Sequence, residues 1–350
     1  MSKYISFQQL KDLGFRAEAY PHTLHFKRPS GTSRGILHDR PGVFISLNNG
    51  PREQFGEFGP LKGLSPDWSE DPLKSVLPSI DAFNAGNEVE FWNSLKGKPG
   101  LVFAWEMGSL GALAPEKGLY FDSAFARGAQ GIPMNGLIWM GSRAFQEEQV
   151  LQKIKEGFRI LKFKVGQHQL EDDLDLLRWV RNLPEGPELE IRLDANGAFS
   201  AMDALNNLEK LAECQIHSVE QPLEVGQHQE LRQIIQQSPI PIALDEELIG
   251  VVNRRELLDA LMPPYLILKP MLLGGLAACE EWIDAAMERN ILWWSTSMLE
   301  SNIGLEFIAQ WVATKNNELP QGLGTGALYE NNFAGSLEIR KSEMWRKNEN

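Results

Sequence analysis

The chain has 350 residues, 23% of them charged and 43% hydrophobic, an ordinary globular composition with length for about two domains. A net charge of −13 argues against nucleic acid or an anionic membrane as the main partner, since both select a basic surface. No run of about 18 or more apolar residues reads as a membrane span, and the opening residues lack the apolar core of a signal peptide, so a cytoplasmic protein is expected.

Residues 1–125 show no regular repeat. Residues 24–27 and 42–47 alternate or run apolar like strands, with turn residues between them. The glycine- and proline-rich stretch 56–65 reads as a loop, and the acidic 65–71 extends it. Residues 79–95 and 100–113 look helical. Strands followed by helices predict an α+β unit. From Ile132 the pattern changes. Residues 135–140 read as an apolar strand and 147–156 as a helix. Strands at 160–165, 189–193, 216–219, 241–244, 265–268 and 291–294 then alternate with helices at 170–181, 200–213, 229–237, 254–261, 276–288 and 303–313. Ser200 is the expected N-cap of the helix it opens. Cys214 and Cys279 fall in amphipathic helical stretches and read as buried free thiols, which suits a reducing compartment. A short strand near Gly322 completes eight. Eight strands with helices between them predict a (β/α) barrel. The rival, an open doubly wound sheet, would gather functional residues after one or two strands. Here polar residues stand at the ends of many.

Lys162 and Lys164 lie two apart on the 160–165 strand and so share a face. In an apolar setting their repulsion is expected to lower both pKa values, which would make a general base usable near neutral pH. A solvated edge strand with two surface lysines is the alternative. Downstream, Asp194, Glu220, Asp245 and Lys269 end four consecutive strands at intervals of 26, 25 and 24 residues. These intervals are close to the roughly 30 residues of one βα unit, so all four are expected at one height of the C-terminal mouth. Three carboxylates at one level repel unless a cation neutralises them. An all-oxygen set without His or Cys selects a hard ion, Mg²⁺, with Mn²⁺ tolerated. Lysines flank the acids on both sides, which suits proton abstraction next to the carboxylate of a small-molecule substrate. His217, just before the Glu220 position, reads as a packing residue. Taken singly, Asp-Ala-Asn or Glu-Gln-Pro is an ordinary strand-end turn; the signal lies in the set.

These residues resemble the enolase superfamily, in its muconate-lactonising-enzyme-like subgroup, whose members pair a lysine base with a metal-stabilised enediolate. Within it the chain looks most like the o-succinylbenzoate synthases. Arg192, two residues before Asp194, fits their Arg-x-Asp pattern, and the stretches 133–141, 295–304 and 322–326 are also similar. The resemblance spans nearly the full length. It implies a modified (β/α)7β TIM barrel over 126–324, an N-terminal α+β capping domain over 1–125, and a C-terminal tail, 325–350, returning to the cap. It implies Asp194, Glu220 and Asp245 as Mg²⁺ ligands, Lys164 as base and Lys269 facing it across the substrate. Lys162 would tune Lys164 and touch the substrate carboxylate. Arg192, Ser295, Thr296 and Ser297 would bind substrate; a plain N-cap role for one of these serines competes. The implied reaction is dehydration of a succinyl-bearing cyclohexadiene carboxylate to o-succinylbenzoate in menaquinone biosynthesis. The lid loop at 62–65 is only generically similar, and 66–125 match nothing in particular. N-acylamino acid racemase or dipeptide epimerase activity is the nearest rival, although Gly322-Leu323-Gly324-Thr325 lacks the acids that hold a substrate ammonium. A Schiff-base aldolase would not need three carboxylates. A non-catalytic metal-binding scaffold would not need Lys164.

Overall fold

After helix α1 (Phe7–Asp12), strands β1 (Arg16–Thr32), β2 (Gly35–Asn48) and β3 (Glu53–Phe58) pair antiparallel in sequence order. Helices α2 (Pro72–Ala85), α3 (Glu88–Leu95) and α4 (Pro99–Leu113) follow. The computed structural model describes residues 2–32, 35–166 and 169–347; residues 1, 33–34, 167–168 and 348–350, which fall in the expected cap, barrel and tail, lie outside the described residues.

Two expectations change in this first part. Gly56, Glu57 and Phe58 belong to β3 and not to a loop, with Gly56 paired to Ile45. The glycine there serves a close approach: a Cβ would fall on the carbonyl oxygen of Ala104 in α4. The stretch 79–95 is two helices. Gly86 takes a left-handed φ of +71° that ends α2, and the Asn87 side chain accepts the Glu90 N–H to start α3.

From residue 132 the chain runs β4 (Ile132–Pro133), β5 (Gly136–Ile138), α5 (Arg143–Lys155), β6 (Ile160–Lys164), α6 (Leu170–Arg181), β7 (Glu190–Asp194) and α7 (Ala204–Ala212). It continues β8 (Ser218–Glu220), α8 (His228–Gln237), β9 (Ile242–Leu244), α9 (Arg254–Leu261), β10 (Tyr265–Leu268), α10 (Pro270–Leu273), α11 (Gly275–Met287), β11 (Leu292–Ser295) and α12 (Asn302–Ala313). Strands β5 to β11 form one parallel sheet in sequence order. The expected eighth strand is reduced to single bridges, Gln321 with Met134 and Gly322 with Thr296, which link the two edges of the curled sheet. Ser200 does not cap α7. Its hydroxyl accepts the Asp203 N–H at 3.2 Å in the turn before, and the helix starts at Ala204.

Alternation decides what each face buries. Leu161, Phe163, Ile191, Leu193 and Val219 join the large core between sheet and helices. The intervening residues, Lys162, Lys164, Arg192, Asp194 and Glu220, are left to the barrel interior. Near the C-terminus, Leu328 and Glu330 hydrogen-bond along β1, at 2.9 Å to Lys27 and 2.9 Å to His25. Strand β13 (Glu343–Arg346) then pairs with β12 (Leu337–Arg340) on one side and with β4 on the other.

Glu106 clasps α4 to α11. It is fully buried, and its carboxylate accepts the N–H groups of Leu276 and Ala277 at the start of α11 and the Ser2 hydroxyl. Burial pushes the carboxyl up to about 7, against the pull of these hydrogen bonds. An acid raised in the folded state gives its full stabilisation below its unfolded value and loses it as pH rises through the folded one. Stability is therefore expected to fall from about pH 5 to pH 8, and Glu106→Gln to flatten that fall. Urea midpoints across this range measure it.

Candidate active site

The interior positions at the C-terminal ends of β6 to β10 are charged. Lys164 pairs in register with Asp194, and Asp194 with Glu220. Glu220 pairs with Ala243, so Asp245 stands two residues further along its strand. Ala243 pairs with Tyr265 and Leu244 with Leu266, so Lys269 is advanced again. Tilted strands in a closing barrel need such a stagger for side chains to meet at one level.

The charges interleave. Lys162 Nζ lies 2.7 Å from Glu220 Oε2 and 3.0 Å from Asp194 Oδ2. Lys164 Nζ lies 3.5 Å from Asp194 Oδ2 and donates to Asn196 Oδ1 at 2.5 Å. Lys269 pairs with Asp245 and lies 3.9 Å from Glu220 Oε1. The expected lowering of both strand lysines is corrected at Lys162. Burial pushes its ammonium down, but Asp194 and Glu220 more than reverse this, and the net shift is upward. Lys269 is raised in the same way, burial being outweighed by Asp245 and Glu220. The sequence argument weighed the neighbour two residues away, whereas the acids on the next strands are closer. Burial would raise Asp194, but Lys162, Lys164 and Lys269 hold it well below the usual carboxylate range. Asp245 goes up to about 6: burial is the main cause, Lys269 opposes it, and Glu220 and Asp194 add to it.

A cavity of about 280 Å³ lies over this ladder. Lys162, Lys164, Asp194, Asn196, Lys269 and Thr296 line its floor and sides; Ile36, Leu37, Leu61, Lys62 and Leu64 reach it from the first 125 residues. Of the expected substrate contacts, Lys162, Thr296 and Ser297 line the cavity, while Ser295 and Arg192 do not. Along β11, Trp293 packs outward and Trp294 inward, so Ser295 turns outward and its hydroxyl donates to the Leu268 carbonyl at 3.0 Å. Arg192 sits one pleat below Asp194. It pairs with Glu190 at 2.8 Å, donates to the Pro320 carbonyl at 2.9 Å and lies 4.3 Å from the centre of the Trp294 ring. Neither Ser295 nor Ser297 caps α12; the Ser301 hydroxyl does, accepting the Ile303 N–H. His217 packs on Tyr265, with ring centres 5.3 Å apart.

Two cavity residues escaped the sequence reading. Asn135 is 3% exposed; its Oδ1 and the Thr296 Oγ1 are buried without a hydrogen-bond partner, and both residues line the cavity. A buried asparagine opening an apolar strand was the available signal. Asn196 was visible in Asp-Ala-Asn but carried no role. It takes a φ of +44°, accepts from Lys164 and donates to Glu246 at 3.0 Å.

As the side chains stand, no group of three or more His, Cys, Asp or Glu among the described residues gathers round one point. Lys162 and Lys269 fill the space between the acids. The donor chemistry nevertheless fits a hard cation. Asp194, Glu220 and Asp245 are each 2% exposed, all donors are oxygen, and Glu220 Oε1 has no hydrogen-bond partner.

Residues 146–348 match the family described as Enolase C-terminal domain-like. An o-succinylbenzoate synthase from Desulfotalea psychrophila is 40% identical over 90% of this chain and 95% of its own length. The chain belongs to the o-succinylbenzoate synthase family of the enolase superfamily. The crystal structure of MenC from Desulfotalea psychrophila superposes with a TM-score of 0.84 at 36% identity, covering 95% of this chain and 99% of that one. A dipeptide epimerase from Enterococcus faecalis, solved with Mg and the dipeptide L-Leu-L-Tyr, superposes with a TM-score of 0.81 at 18% identity, covering 95% of this chain and 97% of that one. At that identity the likeness is one of fold. The barrel with its separate N-terminal sheet is thus the fold of the superfamily.

Unpartnered polar atoms in a binding cavity are maintained at a cost in stability. Thr296→Val, which removes such a hydroxyl at nearly constant volume, is expected to raise the unfolding free energy by about 1 kcal/mol. Denaturant unfolding of the free protein measures it.

Proposed function

We propose that the protein catalyses the syn-dehydration of 2-succinyl-6-hydroxy-2,4-cyclohexadiene-1-carboxylate to o-succinylbenzoate, a carbon–oxygen lyase step of menaquinone biosynthesis in the cytoplasm. The observation that carries this reading is the pair of amines, Lys164 and Lys269, lining one cavity on either side of the Asp194–Glu220–Asp245 row. Residues 1–125 and the tail 325–350 act as the cap, and 126–324 as the catalytic barrel.

Asp194, Glu220 and Asp245 would hold Mg²⁺, or Mn²⁺ in its place, which when bound would supply positive charge against the substrate carboxylate. Lys162 adds a second cation at that carboxylate. Lys164, as the neutral amine, removes the α-proton, and the C–H electron pair moves into the carboxylate. Asn196 keeps the Lys164 Nζ aimed at the cavity through its 2.5 Å hydrogen bond. The C–O bond then breaks, the ring becomes aromatic, and Lys164 returns its proton to the departing hydroxyl on the same face, releasing water. Lys269 keeps its proton and offers positive charge to the opposite ring face. Asn135 and Thr296 present free polar atoms to the succinyl arm, next to Ser297.

Racemisation of an N-acylamino acid would use the same two amines. Recognition of a free substrate ammonium is disfavoured, because the cavity wall at Gly322, Gly324 and Thr325 carries no acid. Formation of o-succinylbenzoate, followed by absorbance with purified protein, is the test. Activity is expected to vanish with a chelator and return with Mg²⁺. Lys164→Ala and Lys269→Ala are each expected to cut turnover by roughly a thousandfold or more. Near-normal turnover in Lys164→Ala would remove the base from this scheme.

A further inference from the structure

A second buried ion pair lies beside the cavity, away from the charged ladder. Arg40, in β2, is 2% exposed; its Nη1 donates to Glu57 Oε1 at 2.5 Å and its Nη2 to the Gly59 carbonyl at 2.8 Å. Glu57, in β3 and also 2% exposed, accepts the Ser301 N–H at 2.9 Å, the Ser301 hydroxyl at 2.6 Å and the Gly304 N–H at 3.1 Å. These donors belong to the first turn of α12, where free N–H groups and the helix dipole favour a carboxylate. Gly304 makes the approach possible, since a Cβ there would lie 2.5 Å from Glu57 Oε2.

Each end of the pair carries one wall of the cavity. Gly59 opens the segment that presents Leu61, Lys62 and Leu64. Ser301 closes the loop that presents Thr296 to Leu299. That loop is held tightly from within. Glu300 is fully buried and accepts from the Ser297 hydroxyl at 2.5 Å and the Met298 N–H at 2.8 Å. Leu299 takes a φ of +63°, which a leucine adopts only under constraint. A buried ion pair adds little stability over a well-packed apolar pair. What a guanidinium adds is a rigid fork that holds two acceptors at once.

We infer that Arg40 and Glu57 are positioning residues, which keep the 59–65 segment and the 296–301 loop at one spacing and so set the width of the cavity. The functional part of this inference rests on the cavity being the substrate site. Hydrogen exchange tests it in the free full-length protein, whatever reaction the protein catalyses. Lysine keeps the charge but not the fork. In Arg40→Lys, amides of Leu64 and Ser65 are expected to exchange at least about tenfold faster, with Ser301 and Gly304 unchanged. Glu57→Gln is expected to release Ser301 and Gly304. Arg40→Met/Glu57→Gln, which leaves no unpaired charge, is expected to release both segments while β6 to β10 stay protected. Unchanged exchange in both segments overturns the inference. So does faster exchange spread through β6 to β10, the signature of a pair that only stabilises the fold. If the double variant does not fold, Arg40→Lys decides alone on the same criteria. With the dehydration established, these variants should raise KM about tenfold and leave kcat within a few-fold, since walls move and reacting groups do not. A fall in kcat at constant KM contradicts the assignment.

Discussion

The structure depends on solving one electrostatic problem: several ionisable groups share a nearly dry space at the mouth of the barrel. Asp194, Glu220 and Asp245 are each 2% exposed, and an unpaired buried charge costs several kcal/mol. Alternating the acids with Lys162, Lys164 and Lys269 is what makes the space habitable. One strand alone supplies only a single file of side chains, two residues apart on that face. The barrel provides the alternation by bringing one or two charged positions from each of five strands together. The register advance between successive strands is therefore a functional dimension of the fold. A sheet without it would put Asp245 out of reach of the row.

The ladder also bears on the proposed cation. Asp194 is held low by its lysines, while burial and acidic neighbours drive Asp245 up against the pull of its partner Lys269. One oxygen of Glu220 has no hydrogen bond at all.

Much of this could be read from the chain because it is periodic. Strand–helix alternation from residue 132 fixes a repeating unit, and charges recurring at nearly that interval must land on one end of the sheet. What could not be read depends on contacts between distant segments. Gly56 looks like a loop residue until α4 is laid against β3. Ser295 and Thr296 are adjacent hydroxyl residues in the sequence, and only the placement of Trp293 and Trp294 decides which of them faces inward. Arg192 is two residues from Asp194, yet that is a full pleat lower, where Glu190 and Trp294 claim it. The pKa direction at Lys162 failed for the same reason, since its partners come from the next two strands.

The division of labour follows from where each group is mounted. Lys162, Lys164, Asp194 and Glu220, the groups proposed to react or to bind substrate or cation, stand on hydrogen-bonded strands, which hold side chains to small tolerances. Leu61, Lys62, Leu64 and Ser297 to Leu299 stand on connecting segments, which can change without disturbing the sheet. A family that keeps its charged ladder can therefore alter its substrate by altering these segments. The requirement is that the segments stay in fixed relation to the ladder and to each other. Hydrogen bonds within each segment cannot meet that requirement, because they move with the segment. A tether from a third element can, and the β2–β3 pair, already locked to the α4 backbone through Gly56, is the rigid neighbour available to both.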